Sequence, residues 1–174
     1  FAGVPVEQEL RGRFAIYVQV DNDMNYTAYG FYRSSCAGVT APVAYIFKPE
    51  VPCLGCGMVI NGQVLQGASQ FAGEVSNLPF SGMDKLPVAD EMSKVIVSLA
   101  AIINPMTIAL SGPKISQALI PELLARCHQH IPQEHMPELV YRPSMRQDYL
   151  QGITELTLNN YNRHVAFSTQ TGAH

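Results

Sequence analysis

The Asn61-Gly62 pair constrains the fold of this chain more than any other feature of its sequence. Asn-Gly between two apolar runs is the strongest short signal for a β-hairpin, because both residues readily adopt the left-handed backbone of a type I′ turn. The flanking runs, Leu54–Ile60 and Gln63–Leu65, are therefore predicted to be antiparallel strands. A third run, Pro42–Lys48, is rich in apolar and β-branched residues and predicts a strand just before them.

The rest of the chain alternates between helical and strand patterns. Hairpin strands followed by helix–strand–helix–strand–helix predict an α/β fold with a mixed sheet and flanking helices. The pattern contains no internal repeat and no second domain boundary. Gly12 is predicted to end the first helix, and Ser116 to cap the fourth. The predicted helices are Pro5–Leu10, Met24–Arg33, Val88–Ile103, Ser116–His130 and Gln147–Arg163, and the remaining predicted strands are Ala15–Val20, Met106–Leu110 and Glu138–Arg142.

The composition excludes several classes of protein. The 174 residues are 47% apolar and 14% charged, whereas disordered chains are rich in charge and poor in apolar residues. A net charge of −3 provides no basic field for phosphates, so no nucleic acid partner is predicted. The longest apolar stretch, Val95–Ile103, is too short to span a bilayer, so no membrane partner is predicted either.

Cysteine usage and the start of the sequence bear on location. Four cysteines are too few for a disulfide scaffold, and the first residues resemble no signal or transit peptide, so a reducing, cytoplasmic location is expected. Because the first residue is Phe1 and not Met, we expect the natural protein to begin upstream. Low charge, with 12 Pro and 13 Gly, suggests an apolar surface that packs against another lobe or subunit.

The tripeptide Asp21-Asn22-Asp23 follows one predicted strand and precedes a predicted helix. Ligand sites in open α/β sheets lie at the carboxyl ends of strands. A carboxylate there can take a proton from a hydroxyl, and an amide can hold neighbouring hydroxyls. Asp and Asn are also common caps of helix N-termini. On local grounds both interpretations stay open.

Glu74 lies in the stretch Phe71–Asn77, at the end of a small and polar segment, Gly67–Glu74, that suits a loop pressed against a ligand. A Glu among small apolar residues needs partners if it is buried, and it could accept two sugar hydroxyls. The alternative is a Glu on an exposed surface loop. Both interpretations are kept.

A metal site and a nucleophile were also considered. The segment Cys53-Leu54-Gly55-Cys56-Gly57 has the spacing of half a zinc ribbon, but Cys36 and Cys127 are isolated and the histidines follow no recognised finger spacing. A tight turn of small residues is the preferred interpretation. No catalytic nucleophile pair can be located from spacing, and no Walker-type loop with Lys is present in the sequence.

Five segments occur together in the order and spacing of one known family. They resemble the Asn-Asp-x-Asn signature, the glycine turn with its hairpin, the Gly-Glu segment, the Asn-Pro stop before the nucleotide-side strand, and the closing helix of the ROK family, named for repressors, open reading frames and sugar kinases. The resemblance runs from about residue 1 to about residue 162. The segments that carry it are Val20–Asn25, Gly55–Ala68, Phe71–Glu74, Ile103–Gly112 and Gly152–Thr154.

The resemblance implies one lobe of a sugar kinase/actin-like (ribonuclease H-like) ATPase fold, in which two lobes close over a sugar and ATP. Residues 1–174 look like the C-terminal lobe, so a front lobe with an Asp-x-Gly-x-Thr phosphate loop is expected upstream. Asp23 takes the position of the family's general base, which accepts the proton of the attacking sugar hydroxyl. Asn22 and Glu74 take positions that hold sugar hydroxyls.

The same resemblance implies nucleotide contacts at three glycines. Gly55 and Gly57 belong to the family's glycine turn, and Gly112 takes the position where the backbone borders adenosine. ATP and Mg²⁺ are therefore expected to act in the intact protein.

The sequence departs from the family pattern at its zinc site and at its phosphate turn. Asn77 stands where the family has a His that holds sugar and zinc, so a substrate contact is still assigned to it. Leu78–Pro87 contains no Cys, His or Glu where the family has a cysteine-rich loop, so no metal is expected. The phosphate turn is replaced by Val51–Gly55.

The family implies two functions, and a degenerate lobe that serves only oligomer contacts is a third alternative. The first is an ATP-dependent kinase for a hexose or amino sugar, and the second is a sugar-sensing transcriptional repressor with a helix-turn-helix upstream. The retained base favours the kinase, because a sensor has less need of one. The isolated lobe is expected to be inactive, since half of the cleft is missing. The apolar helix over Val88–Ile103 fits a homodimer contact and fits a core helix equally well.

Overall fold

Five α-helices and five strands are found in the computed structural model, which describes residues 5–14, 17–80 and 85–170, with side chains as far as residue 163. The helices are α1 (Val6–Phe14), α2 (Asp23–Ser35), α3 (Val88–Ile102), α4 (Ile120–Cys127) and α5 (Arg146–Gln170). The strands are β1 (Val43–Phe47), β2 (Gly55–Ile60), β3 (Gln63–Val64), β4 (Thr107–Ser111) and β5 (Glu138–Tyr141). Short 3-10 segments lie at Val75–Asn77, Gln117–Leu119 and Gln133–His135.

The strands form one mixed sheet in the order β3-β2-β1-β4-β5. The central strand β1 is antiparallel to β2 and parallel to β4, and β4 is parallel to β5. Tyr45 at the middle of β1 lies opposite Gly57 on one side and Ala109 on the other. The carboxyl ends of β1, β4 and β5 therefore share one edge of the sheet with the amino end of β2. We call this edge the carboxyl edge.

The predicted hairpin is confirmed. Asn61 and Gly62 both have positive φ, 52° and 73°, as a type I′ turn requires, and they join β2 to β3 in antiparallel register. The second strand of the hairpin is shorter than predicted, because it ends at Val64. Leu65 still donates its backbone N–H to the Met58 carbonyl at 2.9 Å, so the pairing continues for one residue beyond the strand.

Helices cover both faces of the sheet. The predicted helix after Asn22 is confirmed as a buried helix, since α2 is buried from Met24 to Tyr32. The face that carries α2 and α5 contains a buried cluster of Met24, Ala28, Tyr29, Phe31, Tyr32, Cys36, Val43, Tyr45, Val59 and Ala109. The face that carries α3 and α4 contains a larger one, whose fully buried members include Ile46, Met92, Val95, Ile96, Ile108, Leu110 and Leu123. The α/β fold with a mixed sheet and flanking helices is thus as predicted.

Two glycines bring α2 and α5 into backbone contact. A Cβ atom built on Gly30 would lie 1.8 Å from the Asp148 carbonyl oxygen, and one built on Gly152 would lie 1.7 Å from the Tyr26 carbonyl oxygen. Real Cβ atoms do not approach other atoms this closely. The two helices can therefore cross at this distance only because both positions lack a side chain.

Two predictions near the N-terminus are wrong. α1 continues through Gly12 to Phe14, and an ion pair of 2.8 Å between Glu7 and Arg11 spans one of its turns. The predicted strand Ala15–Val20 is not formed over residues 17–20, which are extended without pairing to a strand in the described part of the chain. Ala15 and Ile16 themselves lie outside the described residues.

Two later helices also differ from prediction. The Ser116 side chain makes no cap hydrogen bond, and the segment enters α4 through a 3-10 turn, with Pro121 in the first turn of the α-helix. α5 begins at Arg146 and continues to Gln170, beyond its predicted end at Arg163. Although α5 has 25 residues, neither it nor any other helix within the described ranges is apolar enough to cross a bilayer.

Candidate functional site

The carboxyl edge of the sheet gathers the residues that the sequence singled out. β1 is followed there by Lys48, and β4 by Gly112. α2 begins at the same edge, because its first turn packs on the start of β2: a Cβ on Gly57 would lie 2.1 Å from the Met24 carbonyl oxygen, and one on Gly55 would lie 2.7 Å from the Met24 side chain. The absence of side chains at Gly55 and Gly57 thus sets the position of the α2 N-terminus.

Asn22 caps α2, as the structural interpretation of the tripeptide predicts. Its side-chain Oδ1 accepts a hydrogen bond of 2.8 Å from the Met24 N–H. Asp21 binds its own surroundings instead of a ligand: Oδ1 accepts from the Asn22 N–H and from Asn25, both at 2.7 Å, and Oδ2 accepts from Gln66 at 2.9 Å. These contacts hold the segment before α2 against the hairpin.

Asp23 is the member of the tripeptide that stays free. It is the first residue of α2 and is exposed, and its carboxylate makes no hydrogen bond or ion pair with any residue that the structure describes. A negative charge in the first turn of a helix is itself stabilising, by about 0.3–1 kcal/mol. An unpaired carboxylate at this edge of the sheet is also available to accept a proton from a bound hydroxyl.

The loop that carries Glu74 is fastened to the first half of β2. A Cβ on Gly73 would lie 2.3 Å from the Cys56 carbonyl oxygen, and Gly73 has a positive φ of 94°, so this position requires glycine. Two residues after Glu74, the Ser76 hydroxyl accepts from the Leu54 N–H at 2.7 Å and donates to the Leu54 carbonyl at 3.1 Å. The loop is therefore held on both sides of Glu74.

Glu74 and Asn77 are both exposed. Glu74 forms no ion pair within the described part of the chain, and it borders an apolar groove of about 270 Å³ beside Phe71 and Ile102. Its contacts match the surface-loop interpretation, and its free carboxylate leaves the sugar-binding interpretation untested. Asp23 and Glu74 are each next in sequence to a residue that packs on β2. Met24, which follows Asp23, packs on Gly57, and Gly73, which precedes Glu74, packs on the Cys56 carbonyl.

Gly112 is enclosed by the chain itself. Its φ is 135°, and a Cβ there would lie 2.1 Å from the Lys48 carbonyl oxygen. The Lys48 N–H donates to the Ser111 carbonyl at 2.9 Å, which continues the pairing of β1 and β4 past the last strand residue. Glycine is thus required at position 112 by the close approach of β1, whether or not a nucleotide borders it.

A buried ion pair at the carboxyl edge was missed by the sequence reasoning. Lys48 and Glu91 are each 4% exposed, and Lys48 Nζ lies 3.0 Å from Glu91 Oε1 and 2.9 Å from Oε2. Lys48 Nζ also donates to the Cys53 carbonyl at 3.3 Å. The pair joins the end of β1, the turn over residues 49–54 and the first turn of α3. The sequence held two signals of this pair: Lys48 ends an apolar strand, and Glu91 lies in the first turn of an apolar helix.

Breaking this pair on one side is expected to destabilise the chain. Glu91→Leu leaves the Lys48 ammonium buried without a counter-charge, which costs about 3–5 kcal/mol of unfolding free energy. Lys48→Met combined with Glu91→Leu removes both charges and is expected to recover most of that loss. Denaturant unfolding of the two variants beside the wild type measures this. A double variant no more stable than Glu91→Leu would contradict it.

The cysteines differ in exposure and are all free thiols. Cys53 is exposed and Cys56 is buried, and burial raises the pKa of the Cys56 thiol to about 12. A thiol must lose its proton to bind zinc well, so such a pKa disfavours metal at Cys56. Among the described residues, no group of three or more His, Cys, Asp or Glu side chains could hold a metal ion. The tight-turn interpretation of Cys53–Gly57 fits these positions.

Thiol labelling is expected to separate the four cysteines. Burial raises the pKa of Cys36, and that of Cys127 to about 11, so these two and Cys56 stay protonated and covered, whereas Cys53 is exposed. We expect one thiol to react with an aromatic disulfide reagent at neutral pH and all four in denaturant. A Cys53→Ser variant should lose the fast phase. Fast labelling of a second thiol in the folded chain would contradict the burial described here.

Comparisons of the sequence identify no relative: no protein-family model and no curated protein matches it. The fold, however, matches solved structures. The ROK hexokinase from Thermus thermophilus matches with a TM-score of 0.69 at 16% identity, over 87% of this chain and 71% of that chain. The chain has the fold of ROK family proteins. The resemblance predicted from the sequence is therefore confirmed at the level of the fold.

Two further ROK structures show how widely the fold is used. A ROK family glucokinase from Streptomyces griseus in complex with glucose and AMPPNP matches with a TM-score of 0.59 at 14% identity, over 87% of this chain and 72% of that chain. A ROK family transcriptional regulator, a homologue of the E. coli MLC protein, matches with a TM-score of 0.59 at 14% identity, over 87% of this chain and 57% of that chain. The ROK fold thus occurs in both kinases and regulators.

Proposed function

We propose that this chain is the C-terminal lobe of a ROK-type sugar kinase and that Asp23 is its general base. The observation that carries the proposal is the free carboxylate of Asp23 at the carboxyl edge of the sheet, where α/β proteins bind ligands. Asp21 and Asn22, its neighbours, are occupied by structural hydrogen bonds, whereas Asp23 is not. Structural capping alone does not require a second, unpaired acid beside the cap.

The proposed chemistry is phosphoryl transfer to a sugar hydroxyl. Asp23 accepts the hydroxyl proton as the oxygen attacks the γ-phosphorus of ATP, and ADP leaves with the electron pair of the broken P–O bond. Glu74, the free Nδ2 of Asn22, and Asn77 hold the other hydroxyls of the sugar. Phosphoryl transfer depends mainly on positioning and on charge stabilisation by Mg²⁺ and cationic groups.

The phosphates of ATP need partners outside this lobe. Lys48 lies at the carboxyl edge, and its ammonium is already bound to Glu91 and to the Cys53 carbonyl. The proposal therefore assigns phosphate and Mg²⁺ binding to a front lobe upstream of residue 1, and assigns Gly55, Gly57 and Gly112 to the backbone that borders the nucleotide. We also propose that the protein is cytoplasmic. A homodimer that forms through α3 is part of the same proposal.

The kinase is preferred over the sugar-sensing repressor because of Asp23. A sensor needs groups that hold hydroxyls, and the Asn and Glu side chains serve that purpose. A base is needed only where a hydroxyl must lose its proton.

Sugar-dependent release of ADP by the protein with its front lobe tests the proposal. Glucose, mannose and their N-acetylamino derivatives are the sugars to compare, because Asn77 replaces the family's sugar-binding His and does not select one hexose. We expect turnover with at least one of them and none with the 174-residue chain alone, because the lobe alone cannot exclude water or align the nucleotide. Sugar binding without any ADP release would overturn the kinase and favour the sensor.

A further inference from the structure

A polar cavity is lined by none of the residues assigned to catalysis or to sugar binding. It has a volume of about 220 Å³ and lies between the hairpin, the segment before α2, the middle of α2 and the second half of α5. Its lining residue closest in sequence to Asp23 is Asp21. Its lining is rich in amides, contributed by Gln19, Gln63, Gln66, Asn159 and Asn160.

Hydrogen bonds fix four of these amides in orientation. Asn159 Nδ2 donates to the Tyr29 hydroxyl at 2.9 Å, and Asn160 Nδ2 donates to Gln19 Oε1 at 3.0 Å. Gln66 Nε2 donates to Asp21 Oδ2 at 2.9 Å. Each of these amide nitrogens uses one of its two hydrogens in this way, and the side-chain oxygens of Asn159, Asn160 and Gln66 remain as acceptors.

The Tyr29 hydroxyl supplies a donor among these acceptors. Tyr29 is 5% exposed, and its oxygen accepts from Asn159 and, at 3.4 Å, from Arg33 Nη1. Since a phenol can accept and donate together, the O–H hydrogen of Tyr29 is left for a further partner. A group that both donates and accepts, such as an alcohol, complements this arrangement better than a group that only accepts.

Charge and shape narrow the ligand further. The charged residues that line the cavity are Asp21 and Arg163, which are opposite in sign, so neither an anion nor a cation is favoured overall. Val64 and Leu156 supply apolar surface among the polar groups. The volume equals that of about seven water molecules at about 30 Å³ each, which suits a small molecule of sugar size.

We propose that this cavity binds a small uncharged polyol, its hydroxyls on the oriented amides and on Tyr29 and its C–H face on Val64 and Leu156. This site shares no lining residue with the proposed catalytic site, and it does not depend on kinase activity. Because α5, α2 and the hairpin all line it, the ligand joins three elements that meet at the segment preceding Asp23.

Methyl-labelled NMR of the 174-residue chain tests the site directly. Glucose, sorbitol and myo-inositol are the probes, and the methyl groups of Val64 and Leu156 report on the cavity, whereas those of Leu54 and Val75 report on the catalytic edge. We expect at least one probe to shift Val64 and Leu156 with a dissociation constant on the order of 1 mM. Asn159→Ala and Gln63→Ala, made separately, should each weaken these shifts about fivefold or more.

The control variant carries Asp23→Asn and Glu74→Gln and should leave the shifts of Val64 and Leu156 unchanged. Gln63 is an exposed residue of β3, so its truncation leaves the fold intact and keeps the test independent of any loss of stability in Asn159→Ala. The proposed site is wrong if no probe shifts the Val64 and Leu156 signals at concentrations up to about a hundred times the expected dissociation constant. Shifts confined to Leu54 and Val75 overturn it as well, while leaving the proposed kinase intact.

Discussion

Replacing Asp23 with Asn in the proposed two-lobe protein is expected to lower kcat by about 10²–10⁴-fold, the usual contribution of a positioned general base. Asn keeps the size of the side chain and can still contact a hydroxyl, but it cannot take the proton. Because Asp23 is exposed and its carboxylate makes no hydrogen bond or ion pair within the described residues, the loss should appear in kcat more than in folding. Steady-state kinetics with ATP and the preferred sugar measures it.

Asp90→Asn is the matched control for Asp23→Asn. Asp90 also lies in the first turn of a helix and is paired with Arg126, but it belongs to α3. Both substitutions remove a helix N-terminal charge worth about 0.3–1 kcal/mol, so both should reduce stability slightly. We expect only Asp23→Asn to lower kcat by about 10²-fold or more. Equal kcat in the two variants would show that Asp23 acts as a helix-stabilising charge and not as a base.

Gly152→Ala is expected to cause a large loss of stability for the addition of one methyl group. The new Cβ would lie 1.7 Å from the Tyr26 carbonyl oxygen, a backbone atom that cannot move without shifting α2. Overpacking usually costs about 1–3 kcal/mol and sometimes more, and this contact belongs at the upper end. Thermal and denaturant unfolding should both report the loss.

Gly12→Ala, the same substitution in another helix, is expected to raise stability instead of lowering it. Gly12 also lies within a helix, α1, but a Cβ there would meet nothing within 4 Å. Ala is preferred over Gly in a helix by about 1 kcal/mol, so this variant should be slightly more stable than the wild type. A stabilised Gly152→Ala variant would mean that α2 and α5 do not cross at the distance described.

Local chemistry explains which parts of the fold the sequence predicted well. Asn61-Gly62 selects one turn type by its backbone preferences, so the hairpin follows from two residues. The buried helix α2 follows from its apolar and aromatic residues, and Asn22 caps it as such a residue commonly does. The family resemblance rested on the same local motifs, and it led to the correct fold.

Three features that the sequence left unpredicted or unexplained depend on partners that are distant in sequence. Lys48 and Glu91 are 43 residues apart, and neither residue alone indicates a buried pair. The residues of 17–20 favour a strand by composition, yet a strand also needs a neighbour to pair with, and the described sheet has none there. Gly152 fits a helix poorly by propensity, and only its contact with Tyr26 explains why it is there.

The short strand β3 has a consequence for how this chain behaves at high concentration. β3 has two residues, so it covers only the far half of β2, and an uncovered strand edge invites pairing with the strands of other molecules. Here the loop through Gly73 lies against the Cys56 carbonyl and continues to Ser76, which occupies both backbone groups of Leu54. The loop that presents Glu74 therefore also shields the sheet margin from intermolecular aggregation.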